Sequence, residues 1–128
     1  MKLPPDMSDE ARQIVTDFLK DNEPLIDEIQ ALFTEYSHHS RAASEFLRGA
    51  AKIFRRGSGD PSKWDEFASI HRTAATEMHG LFTEKTQIFY QRLEATKTEL
   101  AQMGYAIQDD LFPSDIEDWP EFISEAEN

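Results

Sequence analysis

Glu35-x-x-His38 and Glu35 with His39 place a carboxylate three and four residues from an imidazole, on one face if the segment is helical. Such spacing is used by carboxylate-bridged metal sites in helical bundles. Around a helical hairpin turning at residues 57–60, residue i would face roughly residue 117 − i. His38 and His39 would then lie opposite His79, giving Glu35, His38, His39 and His79 as a candidate metal set. A di-iron centre needs a second Glu-x-x-His, but Ala68 and Thr76 stand three residues before His71 and His79. Metal binding is therefore the alternative reading, and no cofactor is expected.

Arg48, Lys52, Arg55 and Arg56 form a second cluster, at the end of the same segment. Cations there complement the negative end of a helix dipole, and they also suit a phosphate or anionic-lipid contact at a hairpin tip. Gly57-Ser58-Gly59-Asp60 lacks the spacing and the Lys of a phosphate-binding loop, and no Gly-x-Ser-x-Gly elbow is present. No catalytic residue is assigned, and the chain reads as non-enzymatic.

The third cluster is C-terminal. Residues 105–128 carry eight acids and no Lys or Arg, interleaved with bulky apolar residues. Asp109, Asp110, Phe112, Asp115, Glu117, Asp118, Trp119, Glu121 and Phe122 are the partner-binding candidates: acids to steer toward a basic protein surface, aromatics to anchor. The competing reading packs those aromatics on the chain's own helices, and residue types alone leave both open.

The chain that must position these groups has 128 residues, no Cys and a formal net charge of −12. That length suits one core without disulfides, and the charge argues against direct nucleic-acid binding. With no long apolar run and no apolar leader, the expectation is a cytoplasmic protein without a membrane span. The charge is uneven, with −6 over residues 1–35, +4 over 36–59, −2 over 60–104 and −8 over 105–128.

Ser8-Asp9-Glu10 reads as a helix start, with a hydroxyl cap and acids in the first turn. Pro24 predicts a stop and restart, because proline suits a first turn and not an interior. From Leu25 to Phe54 apolar residues recur in three adjacent rows, including Ile26, Phe33, Leu47 and Phe54. Arg56 to Pro61 is a break, and Trp64 begins a third helix running to Gly104. Gly80 interrupts that helix and predicts a bend or a close helix contact.

The expected fold is all-α: an elongated antiparallel helical hairpin or coiled-coil-like bundle, made of one short and two long helices, with an acidic C-terminal tail. Residues 1–104 would form the bundle domain and 105–128 the tail. The apolar stripes are broader than one hairpin can cover, which predicts a homodimer. The function expected is that of an adaptor, chaperone or acidic inhibitor binding a basic partner surface.

Overall fold

The computed structural model describes residues 6–57, 59–105, 113 and 115–127. They form a long helix α1 (Asp9–Arg56), a second long helix α2 (Ser62–Gln102), a 3-10 turn (Ile116–Asp118) and a short helix α3 (Trp119–Glu127). There is no strand among the described residues, and none of their helices is long and apolar enough to cross a membrane. The two long helices pack against each other.

Both expected start signals operate. The Ser8 hydroxyl accepts from the Ala11 amide at 3.2 Å and opens α1. Asp60 accepts from the Ser62 amide (3.0 Å) and the Ser62 hydroxyl (2.8 Å), ahead of α2. These bonds hold its carboxyl below the usual carboxylate range.

The expected break at Pro24 is corrected: Pro24 lies inside one continuous helix. A proline in a helix interior costs about 3 kcal/mol. Pro24 is exposed, so the Lys20 carbonyl left without its donor can turn to water. The flanking side chains Phe18, Leu19, Ile26 and Ile29 are all buried, each stabilising by roughly 1.5–3 kcal/mol, enough together to offset that cost. The short helix of this fold is therefore C-terminal. Gly80 is likewise interior to a continuous α2, and a methyl group there would meet no atom within 4 Å.

The chain divides into two compact units, residues 1–30 with 84–128, and residues 31–83. The first has a three-helix core. Trp119 is fully buried, its ring centroid 4.9 Å from Phe89 and 6.0 Å from Phe18. Its indole N–H donates to the Pro113 carbonyl at 3.0 Å. Val15, Leu93, Leu100, Ile116 and Ile123 are also buried. Among the described residues Asn22 is the buried polar one: its amide donates to the Phe18 carbonyl (2.8 Å), and its oxygen accepts from Arg92 (3.1 Å).

The second unit is a two-helix hairpin. Among the described residues its buried side chains are Ala43, Ala50, Ala68 and Ala75, while Phe33, Leu47, Phe54, Trp64, Phe67, Ile70 and Leu81 are all exposed. Alanine at the seam draws two helices together, and the larger residues are displaced to its flanks. A two-helix layer has no further surface with which to cover them.

Candidate docking groove and the histidine cluster

The first unit carries six basic and nineteen acidic side chains, a net of −13. Its C-terminal segment is amphipathic: Ile116, Trp119 and Ile123 point inward, while Asp115, Glu117, Asp118 and Glu121 are exposed. This corrects the expectation for Trp119, which is core and is not available to anchor a partner. Phe122 is half-buried, 5.3 Å from Trp119 between ring centroids. Asp109, Asp110 and Phe112 lie outside the described residues. Tyr90 belongs to this unit, and burial, then the Asp115 carboxylate, pushes its phenol above the usual value.

A groove of about 550 Å³ opens on the same unit, lined by Ile14, Asp17, Phe18, Asp21, Asn22, Arg92, Ala95, Thr96 and Glu99. Asp17 and Asp21 stand one turn apart on α1, and Glu99 comes from α2. The three carboxylates outnumber one guanidinium, Arg92, which is turned onto Asn22. Ile14 and Phe18 supply an apolar floor. Sequence reasoning missed this groove because its acids are an ordinary pair at i, i+4 and one residue 78 positions further on; only the antiparallel packing joins them.

The second unit carries seven basic and six acidic side chains, a net of +1, and all four histidines. His39 and His71 face each other with Nδ1 atoms 2.9 Å apart, one ring donating and the other accepting. Phe46 stacks on His71 at 5.5 Å and 13°. His38 is exposed, 5.4 Å from His39 and 6.5 Å from His71 between ring centroids.

His79 lies instead beside Tyr36 (5.2 Å) and Phe82 (6.4 Å), so the expected facing of His38 and His39 with His79 is corrected. Ring contacts beside the alanine seam go with this register: Phe46 meets both Trp64 (5.7 Å) and Phe67 (5.4 Å), and His71 comes to His39. Glu35 is exposed, and among the described residues no group of three or more His, Cys, Asp or Glu is placed to hold a metal ion.

Arg48, Lys52, Arg55 and Arg56 are exposed on the last turns of α1. Arg55 Nε donates to the Ala51 carbonyl, one turn earlier in the same helix, at 3.4 Å. No family model, no curated protein and no solved structure matches the chain.

Proposed function

We propose that the protein is a non-enzymatic interaction module that captures a basic segment of a partner protein on its first unit. The observation that carries this reading is the groove in which Asp17, Asp21 and Glu99 surround an apolar floor of Ile14 and Phe18. A lysine or arginine suits such a site, its aliphatic stem lying along Ile14 and Phe18 while its charged head reaches the carboxylates. One end already accommodates a guanidinium, that of Arg92 on Asn22. The exposed Asp115, Glu117, Asp118 and Glu121 add to the field that draws a cationic partner in.

The test is calorimetric titration with a synthetic lysine-rich amphipathic peptide at low and at physiological salt. The expected result is salt-sensitive binding that weakens at least tenfold when Asp17→Asn, Asp21→Asn and Glu99→Gln are combined, since a charge-assisted hydrogen bond contributes about 1.5–3 kcal/mol. Circular dichroism of the variant should match the parent. Equal affinity of parent and variant would remove the groove from the mechanism.

A further inference from the structure

We propose that a cleft on the second unit is a binding site for a phosphate monoester. It is lined by Tyr36 and Ser40 of α1 and by Arg72, Ala75, Thr76 and His79 of α2, and it holds about 310 Å³.

The cleft follows from the alanine seam. Ala75 is buried and forms its floor, a small side chain between two helices. Arg72, Ala75, Thr76 and His79 are spaced i, i+3, i+4 and i+7, so they share one face of α2. Tyr36 and Ser40, one turn apart, share a face of α1. The half-buried Tyr36 ring lies 5.2 Å from the His79 ring, tilted by 54°, and gives the cleft an aromatic wall.

Three observations point to an anion. The chain has 25 acidic side chains, and none of them lines this cleft, whereas three line the groove of the first unit. Next, Arg72 makes no ion pair among the described residues. The places where a helical arginine finds its carboxylate, three and four residues away, hold Ala68, Ser69, Ala75 and Thr76. Glu35 and Glu77 adjoin lining residues in sequence, but neighbours at i, i+1 do not face each other on a helix.

The third observation is a surplus of donors. Thr76 gives its hydroxyl proton to the Arg72 carbonyl, at 3.0 Å. The Arg72 guanidinium, the Tyr36 and Ser40 hydroxyls and the His79 ring make no hydrogen bond among the described residues. Four donor groups thus border one small cleft. A phosphate monoester suits them better than a carboxylate does. It brings three terminal oxygens and about −1.5 to −2 of charge at pH 7, and a guanidinium binds it through two parallel N–H···O bonds. The esterified group lies against the rings of Tyr36 and His79. A free small molecule and a phosphorylated side chain of a peptide share this chemistry.

The test is a titration of the isotope-labelled full chain with phenyl phosphate, followed by amide shifts in nuclear magnetic resonance. Saturable shifts at residues 36–40 and 72–79 are expected, with a Kd on the order of 1 mM or below. Arg72→Gln should weaken binding at least tenfold. Arg41→Gln removes the same charge from an exposed arginine of the same unit outside the cleft, and should leave binding unchanged. Benzoate should bind at least tenfold more weakly than phenyl phosphate. A capped phosphotyrosine peptide supports the site in either order: tighter binding than phenyl phosphate names a protein-borne group as the source, equal or weaker binding a free small molecule. No saturation by phenyl phosphate, equal losses from Arg72→Gln and Arg41→Gln, or benzoate binding as tightly would overturn the proposal. Both variants leave Asp17, Asp21 and Glu99 in place, so the lysine-rich peptide titration reads the basic-segment function separately.

Discussion

The same two helices are stabilised in opposite ways in the two units. In residues 1–30 with 84–128, the long helices receive a third, and Phe18, Phe89 and Trp119 interlock in a buried aromatic cluster. In residues 31–83 there are two helices, an alanine seam, and seven large apolar side chains left exposed. One row of α1 displays the contrast. Leu19 and Ile26 are buried, whereas Phe33, Leu47 and Phe54, at multiples of seven further along, are 41%, 40% and 78% exposed. An apolar row therefore does not by itself specify a core. It specifies a need for cover, which the first unit meets internally and the second, among its described residues, does not.

The contrast breaks first at Trp119. Trp119→Ala should destabilise the first unit by about 3–5 kcal/mol, because the indole is fully enclosed and the space cannot easily collapse. Phe67→Ala, removing a half-exposed ring from the second unit, should cost under about 1 kcal/mol. Thermal unfolding followed by circular dichroism checks both. Equal losses would mean that the two units share one core.

A smaller effect separates two glycines of the second unit. Gly80→Ala should stabilise the fold by up to about 1 kcal/mol, since the added methyl meets open space and alanine favours the helix. Gly49→Ala should destabilise it by about 1–3 kcal/mol, as the methyl collides with the rigid Trp64 ring. Chemical denaturation at low protein concentration measures both signs, and stabilisation by Gly49→Ala would show that Trp64 is not seated there.

The smallest expected effect is a pH dependence confined to the first unit. Burial and Asp115 raise the Tyr90 phenol, so folding favours its neutral form. That contribution is complete below pH 10, the ordinary phenol value, and is lost as pH rises through the raised one. Melting temperature should therefore fall more steeply above pH 10 in the parent than in Tyr90→Phe. Parallel slopes would place Tyr90 in a solvent-like setting.

Much of the fold was legible because it depends on local signals. Ser8 and Asp60 cap helices through atoms two or three residues away, and the glycine-rich break separates the long helices where expected. The sites were less legible. The acids of residues 115–121 were readable as exposed charge, but the groove of Asp17, Asp21 and Glu99 depends on register, as does the meeting of His39 with His71. A register shift of a few residues leaves every helical periodicity intact, so periodicity cannot choose it.

Composition, charge layout and helical class were thus determined by the sequence alone, through capping, periodicity and turn chemistry. Tertiary structure decided three other things: that α1 runs through Pro24, that Trp119 is core, and which carboxylates and imidazoles face each other. The physical reason is common to all three. Each balances a local cost or ambiguity against burial in the tertiary packing: Phe18 and Phe89 around Trp119, the enclosure of the side chains flanking Pro24, and Phe46 against Trp64 and Phe67 beside the seam. Non-local burial outweighs local preference because several enclosed side chains, at roughly 1.5–3 kcal/mol apiece, exceed the cost of one misplaced proline.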